Sequence, residues 1–464
     1  MKKIHILVFS FLFYTIISDN LFIPFKTRID LSKMNTENVM EMLINNQIIV
    51  DFQVGSNNQT IEMNLKTQNA STYILSYTCP ENEFAKKFYD NESTTIEVID
   101  QNKRYYVHGF AYATHVSDKV TILLKEGKNT NINIKDLRFM LATKLDYNTQ
   151  KDVSGVIGLI LINNHEITKD TDFIMQMKEK KIVDSPIYML DYKDFYNGIF
   201  YIGNYYHEFN KDYNQNDLIQ INAGMPDKPI KDWEILINKV ISGNEVVQDN
   251  TFLILFYEFG IIGAPIQYYN HTKNNFFKKY LEDGICEEKN GQDIAASFQK
   301  YKYIVCENKK FKVESFPELK FFNAEKEYNF SLSYKHLFYE FKNKIYFLII
   351  HPLLTISNYD FWYIGKPFFL KNKLFLDKDT MTIGFYNIIE EDKKNDKREK
   401  DEEINKQLKY IIIIVVLILV IIFILFFFIK KIIKGRKKRA NELEEDVDYT
   451  PYKEQDNLKN ENIN

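Results

Sequence analysis

Residues 410–429 form an apolar run of 20 residues without a single charge. As a helix rising about 1.5 Å per residue, it covers roughly 30 Å, the thickness of a bilayer's hydrocarbon core. Backbone amides in lipid must bond within their own segment, so a helix is the form this run is expected to take there. A basic collar follows at once: Lys430, Lys431, Lys434, Arg436, Lys437, Lys438 and Arg439. Such a collar suits the anionic cytoplasmic leaflet. At the other end, Lys2 and Lys3 precede a mostly apolar stretch at 4–17, and the small residue Ser18 closes it, the pattern of a cleaved secretory signal. The two runs predict a single-pass type I protein of the secretory pathway, at the cell surface or an endolysosomal membrane. The body stands outside or in the lumen, and a short tail stands inside.

Between these runs the sequence reads as short strands separated by polar turns. Ile48, Val50, Phe52 and Val54 alternate with polar positions and stop at Gly55; Ile61, Met63 and Leu65 alternate in the same way. Further strands are expected at 120–124, 187–190, 199–202, 234–240, 251–256, 311–313, 321–322, 346–350 and 362–364. The clearest helical pattern lies at 171–180. Residues 390–407 are almost all charged or amide and cannot bury a core. A formal charge of −3 gives no reason to expect nucleic acid as a partner. The eight histidines lack metal-ligand spacing, and no phosphate loop, Gly-x-Ser-x-Gly or His-Glu-x-x-His motif occurs, so no cofactor and no metal are expected. Sequons at Asn58, Asn91, Asn270 and Asn329 are expected to carry glycans; a fifth, Asn69, lies in a loop where a glycan would be hard to fit. Of the three cysteines, Cys286 and Cys306 could close a loop in an oxidising compartment and leave Cys79 unpaired; three buried thiols is the other reading.

Several segments together resemble a known framework. Trp362-Tyr363-Ile364-Gly365 is followed by Phe368, Phe369, Phe375, Asp377 and Ile383-Gly384-Phe385. Ser154-Gly155-Val156-Ile157-Gly158-Leu159 and Gly198-Ile199-Phe200-Tyr201-Ile202-Gly203 precede them. In this order and spacing they resemble the pepsin-like aspartic proteases, over about residues 38–387. The resemblance implies a mostly β, bilobal fold, two β-barrel-like lobes with a central cleft, to which the C-terminal transmembrane helix is added. The implied division is 1–18 signal peptide, 19–209 first lobe, 210–388 second lobe, 389–409 charged stalk, 410–429 membrane helix and 430–464 cytoplasmic tail.

The family places one aspartate in each lobe, in an Asp-Thr-Gly loop. Here the first loop resembles that pattern through Leu65-Lys66-Thr67-Gln68, which puts Lys66 at the aspartate, keeps Thr67 and puts Gln68 at the glycine. The second is matched by Leu255-Phe256-Tyr257-Glu258, which puts Phe256 at the aspartate and Glu258 at the glycine. Tyr106-Val107-His108-Gly109 resembles the tip of the family's flap. Hydrolysis in this family needs two carboxylates sharing one proton, one acting as acid and one as base. A protonated lysine has no acceptor, and phenylalanine does not titrate. The resemblance therefore implies a degenerate catalytic pair at Lys66 and Phe256. It also implies a cleft lined by Lys66, Thr67, Tyr73, Tyr106, Gly109, Tyr257 and Glu258, able to hold an extended peptide or protein segment. Lys66 either pairs with Glu258 across the cleft floor or extends up into the cleft. Two other function classes stay open: an active membrane-anchored aspartic endopeptidase, and a structural surface protein whose cleft is filled by Phe256 and Phe259.

Overall fold

The computed structural model describes residues 20–29, 32–67, 69, 71–80, 86–100, 110–124, 131–145, 154–161, 170–224, 232–292, 300–353, 360–387 and 429–432. The signal, stalk and tail expected from the sequence, and all of the expected membrane helix except Ile429, lie outside these residues. Residues 429–432, described by themselves, are helical and exposed. Among the described residues no helix is long and apolar enough to cross a membrane.

The body up to Asn387 is one compact, mostly β unit with two barrel-like lobes. The first lobe runs β1 (Leu21–Thr27), α1 (Val39–Ile44), β2 (Ile48–Val54), β3 (Gln59–Lys66), β4 (Tyr73–Leu75), β5 (Glu97–Asp100) and β6 (Phe110–Ile122). It continues with β7 (Ile132–Leu145), β8 (Gly155–Gly158), α2 (Phe173–Glu179), β9 (Ile187–Tyr192) and β10 (Asn197–Gly203). The second lobe begins with β11 (Leu218–Asn222), β12 (Glu234–Ser242), β13 (Glu245–Leu255), β14 (Ile262–Gly263), β15 (Cys286–Gln292) and β16 (Lys300–Glu307). It ends with β17 (Leu319–Asn323), β18 (Tyr328–Leu332), β19 (Phe338–Phe341), β20 (Lys344–Phe347), β21 (Ile349–Pro352), β22 (Trp362–Ile364), β23 (Phe375–Asp377) and β24 (Thr382–Tyr386).

Strand periodicity explains the burial. In β1, Leu21, Ile23 and Phe25 face inward while Phe22 and Pro24 are exposed; in β2, Val50, Phe52 and Val54 are buried while Asp51 and Gln53 are not. α2 starts where the Asp172 side chain accepts the Met175 amide, a cap that satisfies one of the helix's free donors. The lobes share a continuous sheet: β11, β24 and β23 of the second lobe join β9, β10 and β1 of the first, with Leu376 opposite Tyr188 and Asp377 opposite Ile187. A buried ion pair, Lys378 with Asp172, also ties the lobes.

Two expected elements differ. Residues 311–313 are not a strand; Val313–Ser315 is a single 3-10 turn. The expected strand at 346–350 is broken at Leu348, whose amide bonds Leu337. β16 pairs with both halves, and the neighbour on the other side changes at the break, from β19 beside β20 to β14, parallel to β21.

Candidate functional site

The central feature is a motif that occurs twice. In the first lobe β3 runs parallel to β8, which is antiparallel to β4, and β4 runs parallel to β7. In the second lobe β13, β22, β14 and β21 repeat this arrangement with the same directions. The register matches as well. Leu65 lies opposite Ile157 and Lys66 opposite Gly158; Leu255 lies opposite Ile364, and the Phe256 amide bonds the Ile364 carbonyl. Each motif has a glycine where the loop crosses closest. A Cβ on Gly158 would lie 2.5 Å from the Asn69 carbonyl oxygen, and one on Gly365 would lie 2.3 Å from that of Phe259. Asn69 is three residues beyond Lys66, and Phe259 is three beyond Phe256. Lys66 and Phe256 thus stand at corresponding places in the two halves.

Their surroundings differ. Lys66 ends β3 and is partly exposed. Phe256 is buried, stacked on Phe259 with ring centroids 4.6 Å apart and edge-on to Tyr363 at 5.4 Å. Helix α1 packs onto this pair. Met34, Val39, Met40, Leu43 and Ile44 form one apolar cluster with Phe256, Phe259 and Ile261, and the Gly260 amide bonds the Leu43 carbonyl.

The two loops meet through Glu258. Its Oε2 accepts the Thr67 hydroxyl at 2.7 Å and the Thr67 amide at 3.4 Å. Thr67 is 2% exposed and Glu258 4%. The pairing considered for Glu258 was with Lys66; the residue whose bond to the carboxylate is seen is Thr67, one position further on. A threonine hydroxyl satisfies a buried carboxylate without the desolvation of a second charge.

The remaining expected lining residues fall in two groups. Tyr73 and Tyr257 are buried and present almost no surface to a ligand. Burial pushes both phenols above their ordinary range. Tyr257 stacks on Phe369 at 3.9 Å, and its carbonyl accepts the Tyr192 hydroxyl at 2.7 Å. Tyr106 and Gly109 lie outside the described residues. Cys286 and Cys306 are bonded across directly paired positions of β15 and β16, and Cys79 is buried and outside this disulfide. Asn58, Asn91, Asn270 and Asn329 are exposed, and Asn69 is half-buried.

One residue escaped the sequence reading. Lys366 follows Gly365 and is fully buried. Its amide bonds the Phe259 carbonyl, and its Nζ donates to the Phe195 carbonyl at 2.9 Å, lying 4.7 Å from the Phe195 ring centre. Burial holds the amine well below the usual lysine range, opposed by the Asp194 charge. A lysine directly after the Trp-Tyr-Ile-Gly run was the available signal, because the run itself is buried strand.

The family model described as eukaryotic aspartyl protease matches residues 47–388. The chain belongs to the eukaryotic aspartyl protease family. No curated protein matches the chain at significance. As an aspartyl protease fold, its repeated motif is the scaffold that positions two loops face to face. Among the described residues of these loops, the amine and carboxyl side chains are a lysine on one side and one glutamate on the other.

Proposed function

We propose that this protein is a catalytically inactive member of the aspartyl protease family, carried as a type I membrane glycoprotein of the secretory pathway. The observation that carries the reading is the matched register of Lys66 and Phe256. Water activation by the family's route needs a proton shared between two carboxylates, and these places hold an amine and a phenyl ring. Glu258 does not replace the pair, because it is one carboxylate and it accepts the Thr67 hydroxyl. The role that remains open to such a fold is capture of an extended peptide or protein segment through strand-type backbone hydrogen bonds, which need no aspartate.

A second reading, a structural surface protein with a filled cleft, is favoured by the packing of α1 on the Phe256–Phe259 stack. Purified full-length protein in detergent, offered a peptide library at acid pH with and without pepstatin, tests the first statement. No turnover is expected; pepstatin-sensitive cleavage would establish an active endopeptidase instead. Mass spectrometry of peptides retained on the same protein separates the two inactive readings. Retained peptides support capture, and an empty protein supports the filled cleft. Glycosidase treatment is expected to lower the apparent mass of protein made in a secreting cell.

A further inference from the structure

The turn that carries the sequon at Asn91 also displays an aromatic ring. Tyr89 is 50% exposed and Tyr77 39%, and their rings stack with centroids 5.9 Å apart and planes 18° from parallel. Tyr77 covers one face of Tyr89, so the exposure of Tyr89 belongs to its other face. The turn beneath the rings is fixed. Asp90–Glu92 is a single 3-10 turn, with the Glu92 amide on the Tyr89 carbonyl at 3.1 Å and the Ser93 amide on the Asp90 carbonyl at 3.2 Å. Gln59 holds the Tyr89 backbone twice, its Oε1 accepting the amide at 2.9 Å and its Nε2 donating to the carbonyl at 3.0 Å. The Ser76 hydroxyl donates to Asp90 at 2.7 Å, and the Asn57 Nδ2 donates to Glu92 at 3.3 Å. Asn91 is exposed in the middle of this turn. Only two chain steps of about 3.8 Å separate its Cα from that of Tyr89. The other exposed sequons lack such a ring. Tyr268 and Tyr269 before Asn270 are buried, Tyr328 before Asn329 packs on Phe330 and Phe385, and Asn58 has no aromatic residue just before it.

We infer that Asn91 carries an N-linked glycan whose first N-acetylglucosamine lies on the open face of Tyr89 and so becomes part of this turn. The inference rests on the secretory glycoprotein reading above. The link forms as the Asn91 amide nitrogen loses a proton and bonds the anomeric carbon of the sugar, while that carbon's bond to phosphate in a lipid-pyrophosphate donor breaks. An aromatic ring is negative over its face. A pyranose presents a face of C–H groups to it, and its hydroxyls stay in water at the rim. The contact gives the exposed ring an apolar neighbour that the protein itself does not supply. A turn held at Tyr89, Asp90 and Glu92 keeps ring and attachment point together, so little order is lost when the sugar settles.

Full-length protein made in a secreting cell and purified in detergent tests it. The native protein is treated with peptide N-glycosidase in heavy-oxygen water, which marks each released asparagine as a labelled aspartate, and release is timed site by site by mass spectrometry. A first sugar packed on the protein is a poorer substrate, so release at Asn91 is expected about twofold to tenfold slower than at Asn58, Asn270 and Asn329, the range that one aromatic contact provides. Tyr89→Leu should remove the difference and Tyr89→Phe should keep it, with release at Asn58 unchanged in both as the control for folding. Equal native rates at all sites overturn the inference. So does slow release at Asn91 that survives Tyr89→Leu, since the protection then comes from elsewhere. An unoccupied Asn91 beside occupied neighbours overturns it and leaves the glycoprotein reading standing, whereas no occupied sequon at all removes both.

Discussion

The contact between Thr67 and Glu258 can be weighed by a single isosteric change. Thr67→Val keeps the side-chain volume and removes the hydroxyl that donates to Glu258 Oε2 at 2.7 Å. What remains is the Thr67 amide at 3.4 Å, a long bond for a carboxylate with so little exposure. A hydrogen bond to a charged group contributes about 1.5–3 kcal/mol, and the carboxylate left behind gains no access to water, so a loss of about 2–3 kcal/mol is expected. For a body of several hundred residues that corresponds to a fall in melting temperature of roughly 3 °C. Thermal melts read by intrinsic fluorescence, with urea titration as a second probe, give the number. Thr67→Ser retains the hydroxyl and is expected to recover most of the loss. In a Glu258→Leu background the valine is expected to change stability by less than about 0.5 kcal/mol, because its partner is gone. Equal effects of the valine with and without Glu258 would show that the two loops are not coupled through this bond, and the account of how the lobes meet would fall with it.

Three further outcomes follow from the same geometry. Phe256→Ala removes a buried ring stacked on Phe259 and packed by α1, and should destabilise the body by about 3 kcal/mol, read as an earlier urea midpoint; a neutral result would mean that α1 does not rest on this pair. His115 is a buried base whose imidazole burial holds below its usual range, against Asp170 at 3.6 Å and Asp100 and with Arg138 also nearby. The unfolded chain then binds the extra proton first. Its contribution to stability is complete above about pH 6.5 and is lost as pH falls through the folded value, so His115→Gln should melt with a shallower fall between pH 7.5 and 5. An equal or steeper fall in the variant would contradict this. Replacing Cys286 and Cys306 by serine opens a loop with a sequence separation of 20 and should cost about 3 kcal/mol, checked by melting the variant beside the unaltered protein with and without reductant.

Legibility in the sequence followed the range of the forces. β2 and β22 were readable because a strand with one buried face writes a period of two into its own residues, and β9 and β10 because each is a short apolar run buried on both faces. The helix at 173–179 was readable for a similar reason, with Phe173, Ile174 and Met177 buried at helical spacing. Val39, Met40, Leu43 and Ile44 carry the same spacing, but over six residues it is too short to stand out, and the partners that make it a helix are Phe256, Phe259 and Tyr346, far along the chain. The break at Leu348 was invisible because both halves are apolar and only the change of pairing partner separates them. The burial of Tyr73 and Tyr257 was missed for a related reason: a tyrosine reads equally well as a cleft wall or as core, and packing decides.

The amino-acid sequence alone determined which chemistries the two loops can offer, since titration and hydrogen-bonding capacity belong to the residue types: an amine at 66, a hydroxyl at 67, a phenyl ring at 256 and a carboxylate at 258. Tertiary structure decided which of them meet. Thr67 and Glu258 are 191 residues apart, and the hydroxyl reaches the carboxylate only because two repeated strand motifs place their loops face to face in matched register. A shift of one residue in either strand would turn the other set of side chains inward, and no local pattern records which register the partner strand will take.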